Sequence, residues 1–202
     1  MEWIIRALKP GGKAFIVVPD GIMNRSNDKR LRDFILDECA LDAVISLPLN
    51  TFFTTNKKTY IMALTKKTPA SSGGIITKER QTTPVFTYLC SEIGETRDVY
   101  RFDIKQNDLE IAAMNYNMFK GARSHYATSD KRCKIVSIDD FYDGSHWSVE
   151  RWWTRDEKIE LGIEDENVSV TIEDFGSMLG DISNTLIEYQ DLISGIQKKI
   201  VN

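Results

Sequence analysis

The 202-residue chain is long enough to bury one sizeable core, and 42% hydrophobic with 28% charged residues is a globular composition, not a disordered or fibrous one. No run approaches the roughly 18 consecutive apolar residues of a membrane span, and the first residues do not read as a signal peptide. Cys39, Cys90 and Cys133 are widely separated and odd in number, which argues against a disulfide framework and a zinc site and fits a reducing cytoplasm. The net charge of −4 is unevenly spread: 11 basic against 7 acidic residues up to position 68, 10 against 8 from 69 to 134, and 5 against 15 beyond. The basic part is able to face nucleic acid, whereas the acidic part would be repelled by it.

Glu2–Leu8 reads as the end of a helix, with Trp3, Ile4, Ala7 and Leu8 at helical spacing and Pro10-Gly11 stopping it. The chain thus opens within an element, which suggests a fragment or one half of a split protein. The turn Lys9-Pro10-Gly11-Gly12 then feeds Ala14–Val18, a run expected to be a strand buried on both faces. Pro19 lacks the N–H a ladder needs and ends it. A helix is expected over Asn27–Cys39, capped by Asn27 or Ser26, with Leu31, Phe34, Ile35 and Leu36 inward and Lys29, Arg30 and Arg32 outward. Strand, stop and helix form half of a parallel α/β unit, whose ligand site lies beyond the carboxyl ends of the strands, at Pro19-Asp20-Gly21.

Leu41–Leu47 and Thr59–Thr65 are the next strands, and the loop between them is too short for a crossover, so they are expected to pair antiparallel. Thr68–Thr83, polar and rich in Gly, Ser and Thr, reads as a linker or exposed loop. Strands Pro84–Cys90 and Lys131–Ile138 flank a polar turn (Glu92–Asp98), the segment Val99–Ile104 and a helix over Asn107–Phe119. Trp147, Trp152 and Trp153 cluster within seven positions, which points to an interdomain or subunit contact in preference to a base-stacking platform between acidic flanks. From Ile172 through Phe175, Leu179, Ile182, Leu186, Tyr189, Ile193 and Ile196 to Ile200, apolar residues alternate steps of three and four. This narrow heptad seam suits one partner helix, either on its own chain or on another subunit.

Few motifs carry chemistry. Gly11-Gly12 precedes a strand, so it reads as a turn and not as a phosphate cradle. His125 and His146 lack neighbours at ligand spacing, and no P-loop or nucleophile elbow is present. The loop LPLNTFFTTNKKTY is the exception. It sets Phe52 and Phe53 beside Asn56, Lys57 and Lys58 at the mouth of the hairpin. An exposed aromatic pair needs a cover, and next to basic residues a planar base is a natural one.

Taken in order, LKPGGKAFIVVPDGIM, LDAVISLPLNTFF and KTYIMALTKK resemble the second half of an N-6 adenine DNA methyltransferase domain, and specifically the modification subunit of type I restriction-modification systems. EIGETRDVYRFDIKQNDLE resembles the stretch that follows that domain, and the likeness is best over residues 1–120. The resemblance implies an α/β fold: the C-terminal part of a Rossmann-like, S-adenosylmethionine-dependent methyltransferase sheet, parallel except for an antiparallel terminal hairpin, followed by an α-rich region with a long heptad helix. With the polar stretch and the heptad seam read above, it divides the chain into residues 1–68 (methyltransferase half), 69–83 (linker or exposed loop), 84–168 (mixed α/β extension) and 169–202 (docking helix). The family's Gly-rich cofactor loop and Asn-Pro-Pro-aromatic catalytic motif do not occur in the sequence, so S-adenosylmethionine is expected to be bound mainly by upstream sequence and the chain alone to be inactive.

What the resemblance assigns here is the wall of a flipped-adenine pocket. Phe52 or Phe53 stacks on the base, Pro19 and Asp20 line the same cleft, and Lys57 and Lys58 contact the DNA backbone. The partners implied are DNA, the upstream half of the methylase, and the specificity and restriction subunits. The alternative is a non-catalytic interaction module left from a truncated methylase.

Overall fold

The computed structural model describes residues 1–72, 75–143 and 146–163, together with the helical positions 179, 183, 186, 189 and 190. Met1–Ile163 forms one compact unit and Glu164–Asn202 a second. In the first unit, α1 (Glu2–Ala7), β1 (Lys13–Pro19), α2 (Asp20–Asn24) and α3 (Lys29–Glu38) lead to β2 (Cys39–Ser46) and β3 (Thr59–Lys66). A small hairpin, β4 (Ala70–Ser72) and β5 (Ile75–Thr77), precedes β6 (Val85–Leu89). A second ribbon, β7 (Ile93–Glu95) and β8 (Asp103–Asn107), runs into α4 (Asp108–Gly121), then β9 (Cys133–Val136), α5 (Asp139–Tyr142) and α6 (Arg155–Glu160).

The main sheet has the order β1-β3-β2-β6-β9. β3 lies antiparallel between β1 and β2, with Val17 opposite Ile61 and Ile61 opposite Ile45. β1 and β2 therefore point the same way, as a strand–helix–strand unit requires, and the antiparallel pairing expected of β2 and β3 is present. That hairpin is not terminal, however: β6 adds parallel to β2, and β9 antiparallel to β6. The sheet thus continues past the boundary expected at residue 68. Where the linker was expected, Gln81 is buried and clasps β2, accepting from the Leu41 N–H at 2.7 Å and donating to the Leu41 carbonyl at 2.9 Å.

Several packing expectations are corrected. β1 is not buried on both faces, because Phe15 and Val17 face outward and β1 is an edge strand among the described residues. Apolar runs of this length do not distinguish a central strand from an edge one. In α1 the core residue is Ile5, while Trp3 is exposed. Ser26 and Asn27 lie in a 3₁₀ turn, and α3 starts at Lys29, its N-cap Asp28 making no side-chain cap bond. Arg32, expected outside, is buried, and its guanidinium donates to the carbonyls of Ile22 and Arg25, both at 2.9 Å. The helix expected over Asn107–Phe119 is α4, with Asn107 as its cap, the side chain accepting from the Leu109 N–H.

Trp147 and Trp153 belong to this chain's own core, so the contact surface expected of the three tryptophans is not built from these two. Trp147 and Trp153 are buried, Trp147 Nε1 donates to the Phe141 carbonyl at 3.0 Å, and Trp152 packs against Phe141. Cys39, Cys90 and Cys133 are buried free thiols, with burial pushing Cys90 and Cys133 up to about 12. No described helix is long and apolar enough to cross a membrane. Of the heptad seam, Leu179, Leu186 and Tyr189 are helical and exposed; Ile172, Phe175, Ile182, Ile193, Ile196 and Ile200 lie outside the described residues.

Candidate nucleic-base cleft

Two loops meet where β1 and β2 end. Pro19 closes β1, and the next N–H, that of Asp20, donates to the Lys58 carbonyl at 3.0 Å, which ties the start of α2 to the end of the β2–β3 loop. The loop is folded on itself. Thr51 Oγ1 donates to the Pro48 carbonyl at 2.7 Å, Asn50 takes a left-handed φ of 60° that asparagine tolerates better than most residues, and the Thr55 N–H donates to the Phe52 carbonyl at 3.2 Å. That last bond pinches off Phe53 and Thr54 at the tip. Phe53 is 76% exposed and Phe52 37%.

The sequence-predicted residues fall into two adjoining clefts. One, of about 480 Å³, has Pro19, Asp20, Gly21 and Arg25 on one side and Leu49, Asn56, Lys57 and Lys58 on the other. The second, of about 270 Å³, has Asn50, Phe52, Phe53, Thr55 and Asn56 facing Arg97, Asp98, Val99 and Arg101. Asn56 borders both. The aromatic pair and Pro19-Asp20 are therefore neighbours across Asn56 and do not share a single cavity.

Beneath the first cleft lies a polar network that sequence reasoning missed. Glu150, in the 3₁₀ turn Val149–Trp152, accepts from the Tyr60 hydroxyl at 2.8 Å and from Ser46 Oγ, and pairs with Lys58 Nζ at 2.9 Å. The Tyr60 oxygen also lies 3.2 Å from Asp20 Oδ1. Burial drives the Glu150 carboxyl upward, but the Lys58 charge and the hydrogen bonds from Ser46 and Lys58 outweigh it, leaving Glu150 below the usual carboxylate range. Tyr60 moves the other way, raised by burial and then by the Glu150 charge. Lys58, expected on the DNA backbone, thus has its charge engaged inside the chain. Lys57 has no ion pair among the described residues and borders the cleft. Glu150 follows Ser46 by 104 positions and Tyr60 by 90, so no local pattern announces the network.

The described residues hold no group of His, Cys, Asp or Glu able to bind a metal ion. What the clefts offer is an aromatic platform, guanidinium and amide hydrogen-bond donors, and cations beside them. An aromatic face beside cations is able to take a flat ring and an anionic group.

The N-6 DNA Methylase family model matches residues 1–152. The chain is 35% identical over 108 residues to the StySJI methylase subunit, a type I restriction enzyme subunit of Salmonella typhimurium, covering 53% of this chain and 17% of that protein. It is 35% identical over 72 residues to the EcoKI methylase subunit of Escherichia coli, covering 35% of this chain and 14% of that one. A chain from a solved structure of a type I R-M system superposes with a TM-score of 0.53 at 16% identity, over 94% of this chain and 37% of the other, which bears on the fold alone. The matches thus span only a small part of the curated relatives, but three-quarters of this chain lies within the family model. The chain belongs to the N-6 DNA methylase family.

Proposed function

We propose that the chain is part of a DNA adenine-N6 methyltransferase of a type I restriction-modification system and supplies the wall of the pocket that receives the flipped adenine. The observation that carries this reading is the pair of clefts beyond the carboxyl ends of β1 and β2, joined at Asn56, one aromatic and one cationic. Phe52 or Phe53 stacks on the extruded base, Pro19 and Asp20 line the adjoining space, and Lys57 meets the DNA backbone. Lys58 holds its end of the loop in place through Glu150.

S-adenosylmethionine, the methyl donor of this family, supplies an electrophilic methyl group when bound. The cationic cleft does not fit it. Arg25 and Lys57 line the cationic cleft and oppose a sulfonium, and the one carboxylate there, Asp20, already accepts from Asn24. The cofactor and the Asn-Pro-Pro-aromatic loop are therefore assigned to another part of the enzyme. The exposed helical residues Leu179, Leu186 and Tyr189 support docking of the C-terminal seam on the specificity subunit, with the restriction subunit joining the same assembly.

The test is methyl transfer from labelled S-adenosylmethionine to adenine in duplex DNA. The chain alone, and an upstream half of a type I methylase subunit alone, should each be inactive, and the mixture active. Replacing the stacking phenylalanine with alanine should then cost about 1–3 kcal/mol of base binding. Activity of the chain alone, or a mixture indifferent to both Phe52→Ala and Phe53→Ala, contradicts the reading.

A further inference from the structure

The second cleft has a wall that the proposed function does not use. It is the seven-residue connection between β7 and β8, residues 96–102. Val99, Tyr100 and Phe102 on this connection are 75%, 77% and 67% exposed, an unusual concentration of apolar surface for so short a loop. The loop is held rigid. The Thr96 N–H donates to the Phe102 carbonyl at 2.9 Å, the Phe102 N–H to Thr96 Oγ1 at 3.0 Å, and Arg97 reaches the Ser91 carbonyl. At its root, Asp108 Oδ2 accepts from the backbone N–H of Ser91 at 2.8 Å and of Glu92 at 3.0 Å.

The loop is also pinned to the opposite wall. Arg101 Nη2 donates to the Asn50 carbonyl at 2.8 Å, across the cleft floor from the Phe52–Phe53 turn. The rest of that guanidinium is poorly used. Its contact with Glu95 is 3.7 Å, and its buried Nε has no hydrogen-bond partner among the described residues. That loose 3.7 Å contact leaves the guanidinium, which lines the cleft, with hydrogen-bonding capacity that a ligand there can use. Asp98 is the one carboxylate among the residues that line the cleft, with Arg97 and Arg101 beside it in the lining.

At about 270 Å³ the cleft lies just under the roughly 300–1,000 Å³ of ordinary small-molecule pockets, which favours a single flat ring system over a larger ligand. We infer that residues 96–102 form the opposing jaw of the Phe52–Phe53 cleft, and that the two together grip one unpaired nucleobase. Val99 packs on the face of the base away from Phe53, and Arg101 donates to its acceptor edge. The strand then passes over Asn56, and its phosphodiester lies along Arg25 and Lys57 in the adjoining cleft. This rests on the stacking role proposed above, but it adds a second wall that can fail separately.

The experiment titrates the full chain with a short single-stranded oligonucleotide carrying one 2-aminopurine, read by its fluorescence, with an abasic oligonucleotide as competitor. Saturable quenching is expected, with the abasic strand competing about tenfold less well and Val99→Asp weakening binding by about tenfold or more. Val99 is exposed, so this variant should keep the parent's unfolding midpoint, and Tyr100→Ala, on the same loop but outside the cleft lining, should bind within about twofold of the parent. Loss with Phe53→Ala but not with Val99→Asp overturns the jaw and leaves the stacking role standing. Loss with Val99→Asp alone supports the jaw and counts against stacking by Phe53. Unchanged fluorescence with the parent chain, or equal competition by the abasic strand, overturns the inference.

Discussion

Glu150 is the residue on which the cleft floor depends, since one carboxylate receives Ser46, Tyr60 and Lys58. Its folded pKa lies below the ordinary value. Its contribution to stability is therefore fully present above the unfolded glutamate value of about 4.3 and is lost as pH falls through the lower folded value. Glu38, depressed by hydrogen bonds from Lys66 and Lys78, acts in the same direction. Glu150→Gln should thus be less stable than the parent at roughly pH 7, with the gap narrowing toward roughly pH 3, as read by urea denaturation at each pH. A gap that does not change with pH would mean the carboxylate's charge contributes nothing. At this scale the sequence was half legible. Phe52 and Phe53 stand out because adjacent aromatics on a polar loop have no packing reason to be there. Glu150 does not stand out, because its partners are about a hundred positions away and it sits among tryptophans that draw attention to themselves. Those tryptophans read as a contact surface, yet Trp147 and Trp153 fill the core behind the turn that delivers Glu150.

At the scale of elements, the strands were legible and their surroundings were not. β2 breaks register between Leu41 and Ala43, and the extra residue, Asp42, is buried with Arg123 Nη2 at 2.6 Å and the Thr65 hydroxyl. The Gln81 amide takes the place of a strand neighbour for Leu41 at this bulge, and donates to the Thr83 carbonyl as well at 2.9 Å. A segment with so few apolar residues reads as a linker, because one side-chain amide leaves no periodic trace. Gln81→Ala should destabilise the chain by about 1–3 kcal/mol, since it strands the Leu41 N–H and carbonyl in a buried site. An unchanged denaturation midpoint would show that water replaces the amide freely. The apolar run of β1 likewise gave no sign that, among the described residues, it lies at the sheet edge. Phe15 is 61% exposed, and its ring stands perpendicular to that of Tyr116 from α4, with ring centroids 6.0 Å apart.

For the whole molecule, the order of strands sets where the clefts lie. A loop too short for a crossover forces β3 to run against β2, and β1 and β2 then flank it in the same direction, which sets both carboxyl ends at one rim. The clefts follow from that arrangement, because the β2–β3 loop has nowhere to go except past Pro19 and Asp20. The division of the site into a cationic and an aromatic cleft was not legible, since it depends on the β7–β8 ribbon reaching back to Asn50. The central claim is that this chain, and the Phe52–Phe53 loop in particular, touches the base that is methylated. It is tested most directly by photocrosslinking duplex DNA with 5-iodouracil at the target position to the chain reconstituted with an upstream methylase half. A crosslink mapped by mass spectrometry to Phe52 or Phe53 is the predicted result. Crosslinks confined to the upstream half, with none on this loop, would contradict it.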